Sequence, residues 1–177
     1  RYFNEQNNDK EKTIYVSTSL WFTVIVNFLF GSLVFSNNVL LSELLFNQIG
    51  YTEIFNLGII YIVINSVFYL VQVQFRWELK SLQYFWVSII MTLSTALSSV
   101  YLCYYQNLGL EGLVVGMIIG SAIGCVLGLW LLRNRFKFHF CFSALKRMLL
   151  FSSPLVFSGI AGWFTLYIDR VMINHFQ

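Results

Sequence analysis

The sequence predicts an all-α membrane protein, a polytopic bundle of about five transmembrane helices. Hydrophobic residues make up 58% of the 177 residues and charged residues only 11%, and the mean hydropathy is +0.69. This composition is typical of an integral membrane protein. Five charge-free intervals are each long enough to cross the hydrocarbon core, for which about 20 helical residues are needed. The intervals are 13–42, 54–75, 81–110, 112–132 and 148–168.

The first and third intervals are longer than one membrane span requires. Asn37 and Asn38 lie towards the end of the first interval, and Gln106 and Asn107 towards the end of the third. Polar residues of this type favour turns and loops. We therefore expect both helices to end before these residues.

A row of glycines runs through the fourth interval at every fourth position: Gly112, Gly116, Gly120, Gly124 and Gly128. In lipid, small residues let a neighbouring helix backbone approach closely. Four residues advance the helix by about 400°, so the row winds by about 40° per step. We expect a central helix that packs against more than one neighbour, with a simple dimer face as the alternative. The glycines do not indicate a nucleotide site, because no strand precedes them and no GK[ST] follows.

The basic residues predict the orientation of the helices. All but one of the eleven lie before the first span, between the second and third, or between the fourth and fifth. The opposite connections, 36–53 and 104–111, contain no Lys or Arg. The positive-inside rule therefore places the basic connections in the cytoplasm. Several Trp and Tyr residues near the span ends, Trp77 among them, are expected to be interfacial anchors, with ligand stacking as the less favoured alternative.

The longest basic connection, 133–147, alternates phenylalanines with basic or small residues from Phe136 to Phe142. Such alternation would suit a strand in water. Beside a bilayer it favours a segment along the cytoplasmic surface, with cations towards the phosphate head groups of membrane lipids. We expect a short helix after Ser143 and a boundary between two bundles in this connection.

The fifth span contains two features that bear on function. Pro154 either bends the helix or lies in its first turn, where it is tolerated. Asp169 and Arg170 form an ionisable pair at the far end of the span. Charges at membrane depth usually face a cavity or a partner. The pair is therefore a candidate substrate contact, and the alternative is an interfacial pair that reaches out to the head groups.

Asn27 and Asn65 lie near the middles of the first and second spans. Amides buried in lipid need hydrogen-bond partners, most often in another helix. A polar cavity lining is the alternative, so both residues are weaker candidates for substrate binding.

The sequence contains no pattern that indicates an enzyme. It has two histidines, no Ser/His/Asp grouping, no paired carboxylates within a span and no spacing for a metal. We expect no catalytic residues, no metal and no cofactor. Nucleic acid is not expected as a partner, because each basic cluster adjoins a membrane span. The cysteines, Cys103, Cys125 and Cys141, are expected to be small core residues.

The order of these features resembles the bacterial polysaccharide biosynthesis flippases, the O-antigen and lipid-linked oligosaccharide translocases of the multidrug/oligosaccharidyl-lipid/polysaccharide exporter superfamily. The residues that carry the resemblance are Arg1-Tyr2-Phe3, the basic turn 76–80, the glycine-rich helix 109–128, the segment Leu-Lys-Arg-Met-Leu-Leu-Phe-Ser-Ser-Pro at 145–154, and Asp169-Arg170. The resemblance runs the length of the chain.

The resemblance implies a transporter of two six-helix bundles, with 12 to 14 helices in all. On that plan, residues 1–132 are helices three to six of the first bundle, 133–147 the inter-bundle linker and 148–177 the first helix of the second bundle. The chain would then be an internal fragment of a larger protein.

The implied function is the flipping of a polyprenyl-diphosphate-linked oligosaccharide across the bacterial cytoplasmic (inner) membrane by alternating access. Arg170 is the leading candidate for the diphosphate or sugar. The partners implied are the lipid-linked substrate, membrane lipids and polysaccharide polymerase or assembly proteins. The alternatives are a drug or cation antiporter of the same superfamily, a membrane-embedded glycan polymerase or acyltransferase, and a purely structural membrane subunit.

Overall fold

The computed structural model describes residues 9–46, 52–134, 136–137 and 139–176. All regular secondary structure in these residues is helical, which confirms the all-α prediction. The helices are α1 (Asp9–Ser36), α2 (Asn38–Phe46), α3 (Thr52–Trp77), α4 (Ser81–Val100), α5 (Gly109–Leu131) and α6 (Phe142–Phe176). A π-helical turn, Tyr101–Tyr105, continues α4.

Within the described residues, five helical segments are long and apolar enough to cross a membrane, and they correspond to the five predicted spans. They are Lys12–Ser36, Thr52–Trp77, Ser81–Tyr105, Gly109–Leu131 and Phe142–Gly162. The chain is therefore a multi-pass membrane protein by length and composition.

The outer ends of the long intervals differ from each other. Gln106 and Asn107 lie between helices, as predicted, and Asn107 has a positive φ of 55°. The prediction of a loop at Asn37 and Asn38 was wrong for Asn38, where α2 begins. The helical path is interrupted only at Asn37. It resumes at once, because the Asn37 carbonyl accepts the Leu41 N–H at 3.0 Å.

The last helix begins earlier than expected. α6 starts at Phe142 and runs without a break through Pro154, so the expected short separate helix after Ser143 is part of α6. Pro154 lies in the helix interior, and the alternative of a first-turn proline is therefore wrong. A proline there removes one backbone hydrogen bond from the helix.

α5 is the central helix of the described bundle. It packs most extensively against α4 and then α3, while α3 also packs against α1, and α1 against α6. An apolar cluster holds α3, α4 and the end of α5 together. Its buried members are Phe68, Val71, Phe75, Val87 and Leu132, and Phe136 of the connection after α5 packs against them.

The basic connections come together at one end of the bundle. Phe75 and Leu132, which border two of them, share the apolar cluster. Ser17, near the start of α1, accepts a hydrogen bond from the Lys137 N–H at 2.9 Å. The assignment of this basic end to the cytoplasm remains a prediction from charge.

Candidate functional site

The first three glycines of the row lie against the backbone of α4 and of the π-helical turn that continues it. A Cβ at Gly116 would lie 2.5 Å from the Cα of Ser99, and a Cβ at Gly120 would lie 2.7 Å from the backbone nitrogen of Thr95. Gly112 is in a similar position beside Leu102, 2.9 Å from its carbonyl carbon. Only glycine lets the two helices approach this closely.

The last two glycines, Gly124 and Gly128, lie against side chains. A Cβ at Gly124 would meet Phe68 of α3 at 2.7 Å and Met91 of α4 at 2.9 Å. At Gly128 it would meet the Val71 side chain of α3. The row therefore turns from α4 towards α3 along its length, in keeping with a winding of about 40° per step.

Interhelical hydrogen bonds reinforce the close contact between the α4 segment and α5. The Ser98 hydroxyl lies 3.2 Å from the Gly116 carbonyl, although its hydrogen has a nearer acceptor in the Ser94 carbonyl of its own helix. Ser99 donates to Leu113 at 3.3 Å, and the Cys103 thiol to the Gly109 carbonyl at 3.1 Å. Ser99 also lies against Gly116, and Cys103 against Gly112. Close approach and hydrogen bonding thus support each other along this interface.

The contact between α1 and α3 is much less tightly packed. A Cβ at Gly31 would have ordinary contact with Val63, at 3.5 Å. The Asn27 side-chain amide donates a hydrogen bond to the Ser66 hydroxyl across the helices. Two cavities of about 450 Å³ each adjoin this contact. Asn27 lines one cavity and Ser66 lines the other, so the hydrogen bond lies between them.

The cavity nearer the basic end is the candidate site, called here the inner groove. Its lining residues come from α1, α3 and the start of α6: Tyr15, Val16, Ser19, Thr23, Ser66, Tyr69, Leu70, Val73, Gln74, Trp77 and Met148. None of them carries a formal charge. The second, outer cavity has a mainly apolar lining that includes Phe28, Phe35, Ile59 and Ile60.

A chain of polar side chains runs from Gln74, which lines the inner groove, to the end of α3. The Gln74 amide donates to one carboxylate oxygen of Glu78 at 2.9 Å. The other oxygen lies 2.7 Å from the Lys80 ammonium, and the Glu78 side chain is only 4% exposed. This pairing offsets the cost of burying the carboxylate.

The backbone geometry at the end of α3 brings Glu78 and Lys80 together. The Lys80 N–H bonds the Phe75 carbonyl at 3.0 Å and the Leu79 N–H bonds the Arg76 carbonyl at 3.2 Å. Leu79 has a φ of 56°, the left-handed conformation that closes a helix in a Schellman motif. Lys80 is thereby folded back towards the last turn of α3.

The basic connection after α5 is hydrogen-bonded to α1. The hydroxyls of Ser17 and Thr18 accept the backbone N–H groups of Lys137 and Cys141, at 2.9 and 3.2 Å. Trp21 donates to the Lys137 carbonyl at 3.3 Å. Ser17 and Thr18 are fully buried. These bonds couple α1 to the segment that leads into α6.

Of the four sequence-predicted site residues, the structure describes the side chains of Asn27 and Asn65, and these two do not contact each other through a hydrogen bond. Asn27 bonds Ser66, whereas Asn65 is half-buried, lines neither cavity and makes no hydrogen bond to another described residue. Asp169 and Arg170 continue α6, but their side chains lie outside the described residues. From Phe142, Asp169 lies about 40 Å along the helix axis.

Sequence reasoning missed the inner groove and the docking of the connection. One signal for the groove was present, because Tyr15, Ser19, Thr23 and Asn27 recur at every fourth residue of α1, a spacing that places polar groups on neighbouring positions of a helix. The docking had no comparable signal, since the groups that Ser17 and Thr18 bind are backbone amides far along the chain.

Comparisons with known proteins indicate the family of the chain. A family model described as "Polysaccharide biosynthesis protein" matches residues 4–176. No curated protein and no solved structure matches the chain. Among the described residues, no group of His, Cys, Asp and Glu could hold a metal ion.

Proposed function

The chain belongs to the polysaccharide biosynthesis protein family, and from this membership we propose that it moves a polyprenyl-diphosphate-linked oligosaccharide across the bacterial cytoplasmic membrane. The family supports a role in polysaccharide biosynthesis or export, and the proposal specifies the step. The chain would act as a transporter and not as an enzyme. Lipid-linked oligosaccharide and membrane lipids would be its direct partners, and polysaccharide polymerase or assembly proteins would act on the exported product.

The observation that carries this proposal is the polar contact between α1 and α3. The substrate has charged phosphates and many hydroxyls, which are costly to move through hydrocarbon. Thr23, Asn27 and Ser66 place hydroxyl and amide groups between two spanning helices, next to cavities. A polar track of this kind lowers the cost of passing a glycan through the membrane.

Alternating access also requires a group of helices that moves as one body, and the tightly packed helices α3, α4 and α5 are suited to this. α3, α4 and α5 are joined by glycine contacts and by the apolar cluster. Alternating access proceeds by rocking one such body against another around a binding site. α6 contacts α1, the helix whose contact with this body is loosely packed.

Arg170 is the leading candidate for the diphosphate, with Asp169 as its counter-charge. A guanidinium binds phosphate oxygens in a bidentate geometry. Arg170 follows the apolar segment Phe142–Gly162 of α6, a position that favours contact with a phosphate at the membrane surface. Asn27 is a candidate for sugar hydroxyls, because its amide already lines a cavity. Asn65 is a weaker candidate, since it lines neither cavity.

The decisive experiment measures transport with the full-length protein in vesicles that contain a fluorescent lipid-linked oligosaccharide. Arg170→Ala should slow transport at least about tenfold, the effect of losing one charge-assisted contact. Arg170→Lys should retain part of the rate because it keeps the charge. Undiminished transport by Arg170→Ala would contradict the assigned role of Arg170.

The same assay separates the proposed function from its alternatives. Substrate recovered chemically unchanged on the far side is expected of a transporter, whereas a longer or acylated glycan would identify a polymerase or acyltransferase. A drug or cation antiporter needs a carboxylate within its spans. Among the described side chains, the buried carboxylate is Glu78, which lies at a helix end paired with Lys80.

A further inference from the structure

We propose that the inner groove between α1, α3 and the start of α6 binds neutral sugars of the substrate, with one ring stacked on Trp77 and another on Tyr69. This inference rests on the proposed function for the presence of a glycan. It goes beyond it by separating the site of the sugar from the site of the diphosphate.

The lining of the groove selects a neutral ligand. All eleven lining residues are uncharged, so a diphosphate would lose its hydration there without gaining an opposite charge. The volume of about 450 Å³ lies within the range of small-molecule sites, roughly 300 to 1,000 Å³. A sugar ring fits this lining because it has apolar C–H faces and a rim of hydroxyls.

Aromatic rings border the groove and remain accessible. Tyr69 is 61% exposed and Trp77 is 43% exposed, and both lie on α3. They are separated by about 12 Å along the helix axis. Tyr15 of α1 lines the same groove. A large flat ring that is open to a groove offers an apolar face to a sugar at little conformational cost.

Polar groups in the groove are available to the sugar hydroxyls. The side chains of Thr23, Tyr69 and Trp77 make no hydrogen bond to other described residues. Gln74 uses its N–H on Glu78, which leaves its carbonyl oxygen able to accept. Hydroxyls both donate and accept, so one sugar ring can satisfy donors and acceptors together.

Basic residues lie next to the groove in the chain and not within it. Arg76 precedes Trp77, and Lys146 and Arg147 precede Met148. A lipid-linked sugar carries its diphosphate at one end of the sugar. The groove itself offers a diphosphate no cation, so the sugar site is distinct from the candidate diphosphate site at Arg170.

Two simpler roles compete with sugar binding in the groove. In the first, Trp77 is only an interfacial anchor, and in the second the groove holds an apolar lipid chain. Trp86 provides a matched control, because it lies near the start of α4, is 58% exposed and does not line the groove. An anchoring role applies equally to both tryptophans, whereas sugar binding applies only to Trp77.

The test uses the full-length protein in lipid nanodiscs and two probes. One probe is the water-soluble oligosaccharide released by mild acid from the lipid carrier of the host cell. The other is polyprenyl diphosphate without sugar. Binding of each probe is measured by thermophoresis for the wild type, Trp77→Leu, Tyr69→Leu and Trp86→Leu. Transport by each protein is measured in parallel in vesicles.

Trp77→Leu should weaken oligosaccharide binding by about tenfold, and Tyr69→Leu by somewhat less. Binding of polyprenyl diphosphate should stay unchanged, and Trp86→Leu should match the wild type with both probes. The inference alone is overturned if the wild type transports and Trp77→Leu binds the oligosaccharide as tightly as the wild type. It is also overturned if Trp77→Leu weakens only the sugar-free probe. A wild type that neither binds nor transports would overturn the proposed function as well.

Discussion

Helix α3 makes two contacts of opposite character, a closed one with α5 and an open one with α1. On the α5 side, Val71 and Phe68 pack where a Cβ at Gly128 or Gly124 would be. On the α1 side, an amide-to-hydroxyl bond joins Asn27 to Ser66, and cavities adjoin it. Two helices of similar apolar composition can therefore form either kind of contact. The spacing of small and polar residues decides which one forms.

The physical reason is the limited source of attraction between helices in lipid. Hydrocarbon competes equally well for apolar side chains, so dispersion at short range and hydrogen bonds must hold helices together. The glycines of α5 allow the short distance between helix backbones that strong dispersion requires, as at Gly120 and Thr95. The contact of α1 with α3 lacks a comparable row. It is held less tightly and leaves room for a ligand.

The largest expected effect comes from disturbing the closed contact. Gly120→Ala would place a Cβ 2.7 Å from the Thr95 backbone nitrogen, so the helices must separate. We expect a loss of stability of about 2–3 kcal/mol, at the upper end of overpacking costs. Thermal unfolding of the full-length protein in detergent measures it.

Two further alanine variants sharpen this comparison. Gly124→Ala should cost less than Gly120→Ala, because its nearest contact, at 2.7 Å, is the edge of the Phe68 ring, which can shift more easily than the Thr95 backbone. Gly58→Ala in α3 meets nothing within 4 Å. It should leave the melting temperature unchanged or raise it, since alanine favours a helix by up to about 1 kcal/mol. Equal effects at the three sites would show that close approach does not hold the α5 contacts.

The next effect concerns the docking of the basic connection on α1. Ser17→Ala combined with Thr18→Val removes the acceptors of the Lys137 and Cys141 N–H groups. Each buried N–H left unpaired costs about 1–3 kcal/mol. We expect both amides to exchange hydrogen with water about tenfold faster or more. Hydrogen–deuterium exchange read by mass spectrometry on peptides covering 136–142 measures this.

Ser19→Ala is the control for the docking experiment. The Ser19 hydroxyl donates to the Val16 carbonyl of its own helix at 2.8 Å. Its removal leaves no amide of the connection unpaired, so exchange should match the wild type. Unchanged exchange in the Ser17 and Thr18 variant would mean that the connection is held by other contacts.

The closed part of the molecule was largely readable from the sequence, and the open part was not. Charge-free intervals predicted the five spans, and the glycine spacing predicted a central helix with several neighbours. Both are local patterns of one helix and can be read without knowing its partner. The helix expected after Ser143 forms, but its continuity with the fifth span from Phe142 onwards was not predicted, because the basic residues Lys146 and Arg147 separate the two stretches in the sequence.

The groove and the docking depend on residues that meet only after folding. The position of Trp77 in the chain predicts an interfacial anchor, since the sequence does not reveal that α1 leaves space beside it. Ser17 and Thr18 look like ordinary small residues, and their partners are backbone amides more than 100 residues away. The position of Asn27 predicts a buried amide but does not identify Ser66 as its partner.

The smallest expected effect tests how weakly α1 and α3 are joined. Interhelical hydrogen bonds in membrane proteins contribute about 0.6 kcal/mol on average, because each partner finds other groups when the pair is broken. A double-mutant cycle of Asn27→Ala and Ser66→Ala should therefore give a coupling energy of about 0.6 kcal/mol. Denaturant unfolding in detergent measures the cycle. A coupling of about 2 kcal/mol or more would mean that this contact is locked as firmly as the α5 contacts, and α1 could not then move away from α3 during transport.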